Sequence, residues 1–109
     1  MKKLRPRIRA LKLAKEVRIR LSKELGQPVK VIMFGSQARG DATKESDINL
    51  LVVLPSLESK TMNLAFDVAW EIGFEAGRFI SVTPDTKEQM KHYAFLPFYQ
   101  TIEQEGITA

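Results

Sequence analysis

The sequence predicts a small α+β (or α/β) layered fold, a mixed sheet of three or four strands covered by helices. Three observations carry this prediction. Residues 4–25 repeat apolar side chains every three or four positions, the period of one helix face. Two short runs, 29–34 and 47–54, are apolar and bounded by turn residues, as strands are. The segments then follow in the order helix, strand, strand, helix, strand, helix, which closes into layers around one core. A chain of 109 residues fits a single domain, residues 1–109.

Taken in order, the first helix carries Leu4, Ile8, Leu11, Ala14, Val17, Leu21 and Leu25 on one face and ends at Gly26 and Pro28. Residues 29–34 form a strand that stops at Gly35. Ser36 to Arg39 reads as one helical turn, because Ser is a good N-cap and Gln-Ala-Arg are competent helix formers. A polar loop, 40–45, leads into the strand at 47–54. Its continuous apolar run predicts burial on both faces and a central place in the sheet. A second long helix spans 61–74, with Leu64, Phe66, Val68, Ala69 and Ile72 on its apolar side. A third strand, 78–83, is stopped by Pro84. A short helix, 85–93, is capped by Asp85 or Thr86, with Glu88 placed to close a capping box from Asp85. A last helix, 95–105, has Pro97 in its first turn and Gly106 beyond its end. The apolar segment Phe95-Leu96-Pro97-Phe98-Tyr99 reads either as core or as part of a partner surface.

Composition excludes several classes. With 44% hydrophobic and 28% charged residues the chain lacks the bias of a disordered one. Its longest apolar stretch, Leu50 to Leu54, is far short of the ~20 residues that span a bilayer. The charged N-terminus lacks the apolar core of a signal peptide, so the expected location is cytoplasmic. The absence of cysteine excludes disulfides and thiolate metal sites, and His92 is the single histidine. Charge is uneven: residues 1–26 hold ten Lys or Arg against Glu16 and Glu24, a net +8, while residues 27–109 carry a net −4. The basic helix at 4–25 is read first as a solvated surface and second as a nucleic-acid or acidic-partner surface. It carries no aromatic residue for stacking, so nucleic acid is not the favoured partner.

The candidate chemistry lies where the first two strands meet. Gly35 permits a sharp turn and close approach of a ligand to the backbone. Ser36 offers a hydroxyl and the first free amides of a helical turn, a natural phosphate cradle, and Arg39 can aim a guanidinium at the same anion. No G-x-x-x-x-G-K-[ST] loop is present, so the chain is not a P-loop protein. A loop of about a dozen residues lets Phe34 and Asp47 lie side by side. Asp47 and Asn49, two apart on a strand, project on the same face toward the Gly-Ser turn. Two acidic groups in that arrangement would hold Mg²⁺ and share it with substrate phosphates.

Gly35-Ser36, ten residues, then Asp47-x-Asn49 resembles the G-S-x₁₀-D-x-D signature of the DNA-polymerase-β-like nucleotidyltransferase superfamily. Phe34-Gly35-Ser36-Gln37-Ala38-Arg39-Gly40 and Ser46-Asp47-Ile48 look like the form found in minimal nucleotidyltransferase domains. Ser81-Val82-Thr83-Pro84, Pro97-Phe98-Tyr99 and Ile102 to Gly106 look like that family's C-terminal pattern. The resemblance implies the small nucleotidyltransferase fold and transfer of a nucleoside monophosphate from a triphosphate such as ATP to an acceptor. It implies Gly35, Ser36 and Arg39 as phosphate contacts, and Asp47 with Asn49 as the catalytic, metal-binding pair for Mg²⁺. It also implies a partner of the HEPN class, a helical ribonuclease for which such domains act as antitoxin, in some cases by adenylylating it.

Two departures qualify the expectation. Asn49 stands where the signature has its second aspartate, and its amide neither neutralises Mg²⁺ charge nor acts as a base. The segment 78–83 contains no carboxylate, where the family has a third, and Asp67, Glu71 and Asp85 are not obvious substitutes. Three readings compete: an active nucleotidyltransferase, a weakly active or non-catalytic nucleotide- or toxin-binding module, and a nucleic-acid-binding protein. The missing carboxylates favour reduced transfer, and the Gly-Ser…Asp cradle favours retained nucleotide binding. A homo-oligomer is left open.

Overall fold

A computed structural model describes residues 4–43 and 45–109. Lys2 and Lys3 of the basic segment and Lys44 of the polar loop lie outside the described residues. The elements are α1 (Ile8–Leu25), β1 (Lys30–Phe34), α2 (Ser36–Arg39), β2 (Ile48–Val53), α3 (Ser59–Ala76), β3 (Ile80–Asp85), α4 (Lys87–His92), α5 (Pro97–Glu105) and β4 (Ile107–Thr108). They build one four-stranded mixed sheet in the order β3-β2-β1-β4. β1 runs antiparallel to both β2 and β4, and β2 runs parallel to β3. The expected α+β layer is therefore present, and β2 is central as its apolar run predicts.

The two sheet faces are covered unequally. Val31, Met33, Ile48, Leu50, Val52 and Ile80 pack under Leu13, Val17 and Leu21 of α1 and Val68 and Ile72 of α3. Leu21, Met33, Ile48 and Leu50 are 0% exposed, and each such side chain contributes about 1.5–3 kcal/mol by leaving water. The opposite face is covered more sparsely: Ile32 and Leu51 meet Ile102 of α5, with Phe34 and Met90 at the margin. Gly106 lets the chain after α5 close onto the sheet, since a Cβ there would come within 2.6 Å of Ile32 Cγ2. β4 then returns beside β1, a strand too short to leave a periodic signal. No helix among the described residues is long and apolar enough to cross a membrane.

Several boundaries differ from the sequence reading for identifiable reasons. α1 starts at Ile8 rather than Leu4, because Pro6 keeps the preceding chain out of the helix; Leu4 and Ile8 are exposed. On α3 it is Ala65, not Phe66, that faces the core. β3 continues through Pro84 to Asp85, which is tolerated because β3 is an edge strand and β2 pairs with only one of its sides. The Asp85–Glu88 capping box is consequently absent: Thr86 caps α4 by accepting from the Gln89 amide at 3.2 Å. The segment 95–99 is not core: Phe95 is 69% exposed, and Leu96 and Phe98, though partly covered, are 37% and 39% exposed.

Candidate functional site

The antiparallel register of β1 and β2 sets Phe34 opposite Asn49, which brings the Gly35 turn and the start of β2 to one corner of the sheet. Gly35 sits at φ 78°, ψ −154°, a region essentially closed to residues with a side chain. A Cβ there would also come 3.0 Å from Asn49 Nδ2, so the turn and the Asn49 side chain are in direct apposition. The turn is closed by bonds from the Ala38 and Arg39 amides to the Gly35 carbonyl, at 3.1 and 3.0 Å. The first two amides, those of Ser36 and Gln37, take no part in that closure and are the donors a phosphate would meet. Gly35 and Ser36 thus stand in one turn at the start of α2.

Arg39 lies one turn on, exposed, and holds Asp41 and Glu105 at 3.3 Å each. The hydrogen bond it donates to Asp41, followed by that to Glu105, raises its pKa above the ordinary arginine value. Its guanidinium therefore spans α2 and α5, and an incoming anion would compete with two carboxylates for it.

Asp47 is exposed and stands immediately before β2, one residue earlier than the strand reading had it. The Ile48 amide donates to the Phe79 carbonyl at 2.9 Å, so the chain at Asp47 is already pinned beside the approach to β3. Among the described residues Asp47 makes no ion pair, which leaves its carboxylate available to a cation. Asn49, half-buried, lies two positions on and opposite Ser81 of the parallel neighbour. A third carboxylate on β3 would need to stand near Ser81, where the side chain is a hydroxyl.

β3 does end in a carboxylate, but at the wrong end. Asp85 pairs in register with Val53, four residues from Ser81, or ~13 Å along a strand at ~3.3 Å per residue. It is 2% exposed, accepts from the Tyr99 hydroxyl at 2.6 Å and from the Thr86 amide at 2.8 Å, and serves to anchor α5. Burial first, and this bond second, push the Tyr99 phenol up to about 12. Glu71 pairs with Arg20 on the other side of the sheet, and Asp67 shares its helix. No group of three acidic or histidine side chains suited to a metal is present among the described residues. The donors fit a divalent cation brought in on substrate phosphates, with Asp47 as its one carboxylate and the Asn49 amide oxygen as a neutral ligand.

Two residues that hold the corner were not singled out by sequence. Gln37 is 1% exposed and donates from Nε2 to the Ser46 carbonyl at 3.1 Å, stitching α2 to the loop that delivers Asp47. Gly40, at φ +91°, abuts the backbone of Arg5, so a Cβ at this position would collide with it. The signals were present: an amide next to the Gly-Ser pair, and a second glycine where the helical turn must stop.

This arrangement agrees with comparisons to known proteins. The nucleotidyltransferase domain family matches residues 12–107. A Methanocaldococcus jannaschii protein whose name assigns it, provisionally, as a protein adenylyltransferase is 31% identical over 85 residues, covering 78% of this chain and 81% of the relative. The glycine turn and the strand that follows it lie within residues 12–107, and the chain belongs to the nucleotidyltransferase domain family.

Proposed function

We propose that the protein binds a magnesium nucleoside triphosphate at the Gly35–Asn49 corner and transfers its nucleoside monophosphate poorly. The acceptor in this reading is a protein, a HEPN-type toxin to which the chain serves as antitoxin. One observation carries the central part. The Gly35-Ser36 turn, with the Ser36 and Gln37 amides outside its closing bonds, lies against Asn49, two residues on from an Asp47 that makes no ion pair among the described residues, while the two positions that would complete a metal site hold Asn49 and Ser81. The name of the archaeal relative supports a protein acceptor and an adenylyl group.

In this mechanism the Ser36 and Gln37 amides hold triphosphate oxygens, and Arg39 exchanges Asp41 and Glu105 for a phosphate. Asp47 would hold the cation that accompanies the phosphates, and such a cation would neutralise charge on the leaving pyrophosphate. The acceptor hydroxyl meets no carboxylate at Ser81 to take its proton, which is the step expected to be slow.

The test is labelled-ATP transfer by the wild type, Asn49→Asp and Asp47→Asn, with and without the protein encoded by the neighbouring gene. Asn49→Asp is expected to raise transfer at least tenfold. Asp47→Asn is expected to abolish the Mg²⁺ dependence of ATP binding. Strong transfer by the wild type would refute the reduced-activity reading; absence of Mg²⁺-dependent triphosphate binding would refute the site itself.

A further inference from the structure

Away from the corner, α3 turns an aromatic ridge to solvent. Phe66, Trp70 and Phe74 follow one another at intervals of four and share one stripe of the helix. They are 42%, 60% and 70% exposed, and Phe79, at the approach to β3, is 62% exposed. Trp70 and Phe74 stack with ring centroids 5.0 Å apart and planes at 13°, so the ridge is a preformed surface rather than a set of loose side chains. Beside it Gly73 and Gly77 leave a hollow of about 330 Å³, whose rim is Trp70, Phe74, Arg78 and Phe79. Ridge and hollow lie on the same face.

We propose that this face is a two-fold interface between two copies of the chain. Size is the first argument. At 150–250 Å² for each aromatic side chain, the four show about 450 Å² of apolar surface. One side of a standard interface takes about 800 Å², of which roughly 56–65% is apolar, or about 450–520 Å². The second argument is self-complementarity, the condition for a two-fold contact. With the two α3 helices antiparallel and the axis between Trp70 and Phe74, Phe66 of each copy comes to the hollow of the other. Charge is the third. The same operation brings Asp67, at one end of the ridge, against Arg78 at the other, and does so twice. Among the described residues neither Asp67 nor Arg78 makes an ion pair. A central Trp, screened by neighbouring apolar contacts and flanked by charges, is also the usual composition of an energetic hot spot. The inference does not depend on the nucleotide reading.

Light scattering on the eluted full chain, over a dilution series, tests it. The wild type is expected at twice its 12.4 kDa mass. Trp70→Ala with Phe74→Ala, both largely in solvent, is expected to give a folded monomer by circular dichroism. Asp67→Arg and Arg78→Asp should each weaken the dimer at least tenfold, and the double exchange should restore it. That pair decides the matter even if the aromatic variant fails to fold. A monomeric wild type, whether or not it captures another protein through this face, overturns the proposal. So does a dimer that survives loss of the aromatics, or a double exchange that restores nothing.

Discussion

Gly35 shows how much of the corner depends on one missing side chain. Its backbone angles exclude an L side chain, and the space a Cβ would take is already bounded by the Asn49 amide. Gly35→Ala therefore costs of order 1–3 kcal/mol of stability through strain alone. A second consequence is expected at the ligand: triphosphate affinity falls at least tenfold while thermal unfolding shifts by about 4–13 °C, as calorimetry and titration on one sample would show. The residue types that make this corner were legible because each has a chemical reason to stand there. Gly35, Ser36 and Asp47 could be placed from the motif and its spacing. Gln37 could not, because a buried amide is recognised only when the carbonyl it serves, that of Ser46, is known to be near.

At the scale of elements, α5 is fixed to the sheet by one polar anchor among the described residues, Tyr99 to Asp85, and of its own side chains Ile102 is the buried one. Tyr99→Phe leaves Asp85 with one donor, the Thr86 amide, and should cost about 1.5–3 kcal/mol, the range for a hydrogen bond to a charged group. The sign with pH follows from the raised phenol. The protonated form is the one favoured by folding, so the contribution is complete below pH 10 and is lost as pH rises toward about 12. Denaturant unfolding at pH 8 and pH 11.5 should show the two proteins far apart at the first and closer at the second. α5 also marks the boundary of sequence legibility among the elements. Its extent was readable from Pro97 and Gly106, but its first turn was not assignable to core or surface. An apolar run such as 95–99 reports hydrophobicity, and only the uneven cover of the sheet decides which side chains meet it. β3 gave a similar lesson, because Pro84 ends a central strand but not an edge one.

Across the whole molecule, the basic residues of α1 are partly committed to the fold: Arg20 pairs with Glu71 of α3, and Arg7 donates to the Ala42 carbonyl at 3.1 Å. The net charge of +4 is thus not displayed as one uninterrupted field. A gel shift with single-stranded RNA at about 50 mM salt is expected to show no retained complex, since α1 carries no aromatic side chain on which bases could stack. Layer order and the position of the cradle were available from pattern and motif; the aromatic face of α3 was not, because helical periodicity alone cannot say which of two apolar stripes is covered. The segment before α1 belongs to the same whole-molecule view. The Arg7 amide donates to the Gln37 carbonyl at 2.9 Å, and the Arg5 backbone rests against Gly40. The cradle is thereby buttressed from behind by chain some thirty positions upstream. Cradle and leading segment are therefore expected to open together, and hydrogen exchange should return one shared free energy of local opening for the amides of both.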